Sequence, residues 1–438
     1  MAEIQAQENL KREIGPLALT LAILNITVGT GIFTIPAIIA ENLGPAAIIA
    51  YLVCGVLIFL IALCLAELGS GTTVSGGVYD YIETAFGPYA GFLANNVYWL
   101  GACVTSDAAI ANALADMLKY FFPFVNNEIS RVLFFILIFG GIAMLNIRSV
   151  KNSVRFVEMT AFGKLLPLVL LVVVGAAFVS PKNLTWVSAP GISSIGTSSL
   201  LLFFAFMGIE TPLSNGGEIK NAKRTVPLGI FSGVSLVLVL YIAIQLVTQG
   251  VLGRTIASHK DAPLAAVAGI AFGSAGIILI GVASAVSMLG ALGSEILSIP
   301  RILFAGARDG LMPKPLSKVH SRFFTPYVAV GFYASCGLFF AIFGAFKQLA
   351  VIASAAVLVI YLGVVLATIK LRKNSAPVSE KKFRVPGGLI IPAAAACLII
   401  WLLSNLSKPE LTGMAVFILV FSIIYPITRL LKKKYRFS

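Results

Sequence analysis

The sequence predicts an all-α integral membrane protein of about twelve transmembrane helices, on three observations. Hydrophobic residues make up 58 % of the 438-residue chain and charged residues only 11 %, against about a quarter charged in soluble domains. Apolar stretches of roughly twenty residues, long enough to cross a bilayer, recur twelve times along it. Two of these stretches are interrupted, by VGTGIF at 28–33 and FAFMGIETP at 204–212. At membrane depth such a break survives only where it lines a protein cavity.

In order, the spans fall near Leu17–Ile39, Ala46–Leu68, Tyr89–Tyr120, Val132–Leu145, Phe156–Val179 and Ser198–Asn215. The second six fall near Leu228–Leu252, Ile270–Ile299, Pro326–Phe343, Gln348–Leu371, Leu389–Leu406 and Thr412–Leu431. Of the 32 lysines and arginines, 24 lie in segments on the N-terminal side of the membrane and seven on the other, with Lys164 left inside a span. The positive-inside rule then puts both termini in the cytoplasm, which requires an even number of spans. Between spans two and three, residues 67–87 carry no lysine or arginine, and a short interfacial or re-entrant helix is expected near Val78–Phe86. Gly253–Pro263 is expected outside as a short helix or loop, and 370–386 inside as a solvated basic loop.

The net charge of +14 is spread through these connections instead of gathering on one face, which argues against a nucleic-acid partner. Cys54, Cys64, Cys103, Cys336 and Cys397 fall in apolar segments, and His259 and His320 stand apart. Neither a disulfide framework nor a metal site is expected. The first sixteen residues hold no apolar core followed by a small-residue cleavage site, so the first span is expected to direct insertion into the cell membrane without a removable signal. No nucleophile–base pair points to an enzyme, and no repeated polar rings point to a channel.

The two breaks carry the chemistry, since interrupted helices in corresponding places of two chain halves point to a transporter's binding site. If the chain unwinds at Gly29–Gly31, the next half-helix presents free N–H groups at an end whose dipole is equivalent to about +0.5 charge. Such an end binds a carboxylate, and Thr30 adds a hydroxyl. The alternative is that these glycines only permit close helix packing. Unwinding at Phe204–Pro212 exposes carbonyls, which attract a cation. A carboxylate site beside an ammonium site describes an amino acid. Phe204 and Phe206 either close over that ligand or face lipid.

Lys164 lies about eleven residues into span five, hence roughly 16 Å deep. A lysine there costs roughly 2.5–3.5 kcal/mol on insertion scales and should face the bundle. It is either a proton carrier or a charged strut beside the first break. Glu210 is assigned to a gate or to the unwound backbone. Asp107 either reads a basic side chain on the cargo or pairs inside the bundle. Glu67, Glu218, Glu295 and Arg301 are expected at cytoplasmic span ends, where inner-gate ion pairs form.

The stretches VGTGIFTIP, LAELGSGTTVSGGVYDYI, FFAFMGIETPLSNGGEIKNAKRTVP and IPRILFAGARDGLMP, in that order, resemble the amino acid–polyamine–organocation (APC) superfamily of amino acid permeases. The resemblance runs from about Ile14 to Pro326. It implies a LeuT-like five-plus-five inverted repeat, with spans one and six broken, and two extra helices. On that pattern residues 14–180 form the first repeat, 181–371 the second, and 389–431 the extra pair. A tail at 1–13, a basic loop at 372–388 and a tail at 432–438 complete the chain.

For the site, the resemblance places the cargo's carboxylate at Thr30 and Gly31, beside Gly29. Its ammonium meets carbonyls of Thr27 and of Ala205 or Met207, next to Gly208. Phe204 stands where the bacterial arginine/agmatine antiporter branch carries a gating aromatic. YWLGACVTSDAA resembles the same branch and puts Gly101, Ala102 and Ser106 beside the cargo's side chain. In proton-coupled members a lysine at the place of Lys164, in TAFGKLLP, substitutes for a bound sodium ion. The function so implied is proton-coupled amino acid uptake by alternating access, with a proton and no other cofactor. An amino acid exchanger and a non-transporting amino acid sensor are the alternatives. Gly101, Ala102 and Phe204 favour a neutral, apolar cargo side chain, and Asp107 a cationic one.

Overall fold

A computed structural model describes residues 14–71, 78–122, 127–186, 188–213, 219–308, 312–374, 383–385 and 387–435. The tail 1–13, Asn215, Glu218, residues 375–382 of the basic loop and 436–438 lie outside the described residues. The first half of the chain forms α1 (Pro16–Thr27), α2 (Gly31–Leu43), α3 (Ile48–Gly71), α4 (Val78–Phe86), α5 (Pro88–Asn96), α6 (Thr105–Phe121), α7 (Glu128–Arg148) and α8 (Val150–Gly175). The second forms α9 (Ile192–Leu202), α10 (Ala222–Leu252), α11 (Pro263–Arg308), α12 (Tyr327–Phe343), α13 (Phe346–Asn374), α14 (Ile390–Leu403) and α15 (Lys408–Tyr435). Among the described residues there is no strand, only an isolated parallel bridge between Ile14 and Ile219. Six helical stretches are long and apolar enough to cross a membrane, and five shorter apolar helices accompany them.

Both interruptions are real breaks. The chain leaves α1 at Val28 and re-enters a helix at Gly31. After α9 it tightens to a 3₁₀ turn at Phe203–Phe206 and then loses helical form at 207–210. Val78–Phe86 is helical as expected, and Gly253–His259 winds as a 3₁₀ helix.

Several boundaries differ from the hydropathy reading, because a helix ends at its caps and not where its apolar run ends. α7 extends past both ends of the expected Val132–Leu145. It starts where the Asn127 side chain accepts the Ile129 N–H at 3.0 Å, a side-chain N-cap. α11 bends at Gly273 (φ 67°) and continues beyond Ile299 to Arg308. Glu295, expected at a cytoplasmic span end, therefore sits well inside a helix. Between α5 and α6 the chain winds as a π-helix over Val97–Val104, a widened turn of a kind often found at functional sites.

The helices pack as a bundle in which α1 lies on α10, α10 on α3, and α8 on α11. α13 packs on the π segment, α6 and α14, while α15 lies against α5 at the edge. Leu419 and Ile423 of α15 are exposed, as suits a lipid-facing surface.

At the centre the two breaks clasp each other. A Cβ added at Gly31 would stand 2.6 Å from Cβ of Ala205, and one at Gly208 would stand 2.6 Å from Cγ2 of Ile26. Gly208 also has φ 95°, a conformation that other residues adopt only under strain. Gly29 is different, since an added Cβ would meet nothing closer than the Thr27 carbonyl at 3.9 Å. Overpacking costs about 1–3 kcal/mol, so Gly31→Ala is expected to lower the thermal midpoint of the detergent-solubilised protein, whereas Gly29→Ala should leave it unchanged. Equal effects of the two substitutions would show that the clasp is not what Gly31 provides.

Candidate functional site

An internal cavity of about 140 Å³ lies between the breaks, walled by the π segment, α6, α8, α11 and α13. The first break contributes Thr27, Gly29, Thr30 and Gly31, and the second contributes Phe204, Met207, Gly208 and Glu210. Ala102, Ser106 and Lys164 line it from the scaffold helices. Three residues singled out in the sequence do not. Gly101 turns toward α13, where an added Cβ would meet Cβ of Ala356 at 3.2 Å. Ala205 packs against Gly31, and Asp107 is fully buried behind the cavity wall.

The first break keeps donors free. Gly29 N–H bonds back to the Thr27 carbonyl at 2.8 Å and Phe33 N–H to Thr30 at 3.1 Å, but the N–H groups of Thr30, Gly31 and Ile32 find no backbone partner. Such orphans are the rule in a helix's first turn. The hydroxyls of Thr27 and Thr30 are likewise buried without a partner. Thr27, Thr30 and Gly31 all line the cavity, the last two at the positive end of α2.

On the other side of the gap, the carbonyls ending α1 are answered by side chains. Lys164 Nζ donates to the Asn25 carbonyl, and Ser287 Oγ reaches that of Val28 at 3.5 Å. The Tyr241 hydroxyl reaches both the Thr27 carbonyl (2.7 Å) and the Ala205 carbonyl (3.0 Å). It thus joins the ends of α1 and α9 through α10. A carbonyl has two lone pairs, so those of Asn25, Val28 and Ala205 each keep one acceptor position, whereas that of Thr27 accepts from both Tyr241 and the Gly29 N–H. The Met207 carbonyl accepts no backbone hydrogen bond among the described residues. Lys164 is the cation placed at the negative end of α1, where the helix dipole favours positive charge.

Glu210 folds its carboxylate onto the backbone of Gly208 and Glu210 and accepts from the Tyr361 hydroxyl of α13. Tyr98 of the π segment lies beside Thr211 on the other side of the second break. Phe204 is 7 % exposed and meets Phe346 edge-on at 6.0 Å, while Phe206 meets Tyr241 edge-on at 5.2 Å. Neither ring faces lipid, and only Phe204 reaches the cavity.

Tyr241, Tyr361, Tyr98, Tyr333 and Asn25 were not anticipated. A tyrosine inside an apolar run carries no one-dimensional mark of the distant group that it meets, and the Asn25 carbonyl that Lys164 engages is a backbone group that no residue type marks. Glu295 did carry a signal, a charge at depth, that a misplaced helix end obscured. Of the expected inner-gate charges, Glu67 pairs with Arg372 of α13 and also accepts from Val385 N–H at 2.8 Å. Arg301 has no ion pair among the described residues.

Comparison with known proteins gives the family. The branched-chain amino acid permease BcaP of Bacillus subtilis is 28 % identical over 97 % of this chain and 94 % of its own length. The methylthioribose transporter of the same organism is 28 % identical over 95 % of this chain and 93 % of its own. Its serine/threonine exchanger SteT is 29 % identical over 86 % and 87 %. All are transporters and not enzymes. The family model described as amino acid permease matches residues 14–428, and the chain therefore belongs to the amino acid permease family, within the APC superfamily of membrane transporters.

Proposed function

We propose that this permease is a secondary amino acid transporter of the cell membrane, driving proton-coupled uptake by alternating access. The observation that carries the reading is the opposed polarity of the cavity. The N–H groups of Thr30 and Gly31 and the unpartnered hydroxyls of Thr27 and Thr30 share the cavity with Met207, whose carbonyl accepts no backbone hydrogen bond among the described residues. An α-carboxylate takes the first and an α-ammonium the second. Ala102, Ser106 and Phe204 then border the side chain, and the branched-chain specificity named for one relative supports a neutral, apolar cargo.

The architecture on this reading is a twelve-span inverted repeat. α1 with α2, then α3, α5 with α6, α7 and α8 make the first five spans. The broken α9 segment and α10 to α13 make the second five, with α14 and α15 added. Spans one, two, six and seven move against spans three, four, eight and nine, with both termini in the cytoplasm. The cavity lining on α11 runs from Gly290 to Ile299, about 13 Å along the axis. It runs toward the Arg308 end, where Ser298 is exposed. Phe204 against Phe346 closes the opposite end, so this conformation is read as inward-facing.

Lys164 carries the proton in this scheme. When protonated it holds the Asn25 carbonyl and the end of α1, and when neutral it loosens that hold. A second reading, obligatory exchange, draws on the same contact, because a permanently charged strut would also cap α1, and on SteT being an exchanger.

Proteoliposomes with an empty lumen and an inward pH gradient are expected to accumulate cargo. Uptake only into preloaded vesicles would establish exchange instead. Lys164→Ala should abolish the pH-driven component, and an unchanged pH dependence would remove lysine from the coupling. The cargo itself is identified by a thermal-shift panel of amino acids, their decarboxylated amines and methylthioribose. Stabilisation is expected from α-amino acids with apolar side chains, and its absence for every α-amino acid would overturn the carboxylate-and-ammonium assignment.

A further inference from the structure

The side chains of Asp107 of α6 and Glu295 of α11 lie against each other. Asp107 is 0 % exposed. One oxygen on each, Oδ1 of Asp107 and Oε2 of Glu295, is buried with no donor among the described residues. An ionised carboxylate is an acceptor only, and a carboxyl donates only when protonated. Two carboxylates in contact therefore repel, and such pairs do not both ionise. One proton between them turns the repulsion into a hydrogen bond.

The surroundings offer no substitute for that proton. Tyr333 of α12 donates to Asp107 Oδ2 at 3.0 Å and also touches Glu295, but a hydroxyl has a single hydrogen to give. Cys103 and Tyr98 face the pair from the π segment, and Glu210 from the second break. Lys164, across the cavity on α8, is engaged with the Asn25 carbonyl. No lysine, arginine or histidine among the described residues forms an ion pair with either carboxyl. Glu295 lines the cavity while Asp107 does not. The unpartnered hydroxyls of Thr27 and Thr30, 3 % and 2 % exposed, line the same space and mark it as built for a polar occupant.

We propose that Asp107 and Glu295 hold one exchangeable proton between them, a proton-binding site separate from Lys164 and loaded through Glu295 from the cavity. Release breaks one carboxyl O–H bond, passes the proton to water in the cavity and leaves two carboxylates, and loading reverses this. The role of the pair in a transport cycle rests on the proton-coupled reading above, but the proton's presence does not.

The test is infrared spectroscopy of the purified full-length protein, read at the C=O stretch of a protonated carboxylic acid. The wild type is expected to show this band at pH 7 and to lose it as pH is raised. Glu295→Gln and Asp107→Asn should each remove it, whereas Glu210→Gln and Lys164→Ala should retain it. Glu295→Gln lies at the cavity face and keeps the test decisive if Asp107→Asn does not fold. No band in the wild type, or a band that survives Glu295→Gln, overturns the proposal. So does loss of the band on adding L-lysine but not L-leucine, which would make the pair a reader of cationic side chains. If the band behaves as expected while empty vesicles fail to respond to a pH gradient, the proton pair stands and the coupling reading falls. If uptake follows the gradient without the band, the reverse holds.

Discussion

The mutual contact of the two broken helices is the constraint on which the rest of the molecule depends. An interrupted helix exposes backbone donors and acceptors that lipid cannot satisfy. Here each break is pressed against the other, Gly31 on Ala205 and Gly208 on Ile26. The exposed groups thereby share one interior space. A side chain at either glycine would push the breaks apart and open that space.

Once the breaks meet, their polar groups divide into those answered by the protein and those left open. Tyr241, Lys164 and Ser287 answer the carbonyls that end α1, from three different helices. Glu210 and Tyr361 answer the turn after α9. What stays open is the set of N–H groups at the start of α2 with the hydroxyls of Thr27 and Thr30, and on the proposed function these take the cargo's carboxylate. The answering side chains double as struts, so the same residues that make the breaks tolerable in a membrane also define the shape of the cavity.

The acidic side of the cavity follows a similar logic with carboxyls. Glu210 is saturated by donors, backbone N–H on one side and a tyrosine hydroxyl on the other. Asp107 and Glu295 have one tyrosine between them, and the shortage of donors leaves a proton as the remaining partner. Lys164, the cation that lines the cavity, is turned to a helix end and neutralises none of them. Charge in this interior is thus balanced by hydrogen bonding and protonation, not by ion pairs, as the cost of burying a bare charge requires.

The sequence by itself determined the all-helical class of fold, the two breaks, the helix at Val78–Phe86 and the burial of Lys164 inside the bundle. These follow from local composition: apolar runs, glycines that interrupt them, and a charge within one. It also supplied the part of the cavity's lining that the breaks contribute, because Thr27, Gly29, Thr30 and Gly31 and Phe204, Met207 and Gly208 are contiguous with the breaks themselves. Only the tertiary structure decided which glycine packs and which stays open, since Gly29 and Gly31 differ solely in what lies across from them. The same holds for Tyr241, Tyr361 and Tyr333, whose partners are remote in the chain. Glu295 became part of the site because α11 runs on to Arg308, past the end that hydropathy marks. Local patterns encode where a helix must break, but what answers the break is set by side chains that meet only when the bundle is closed.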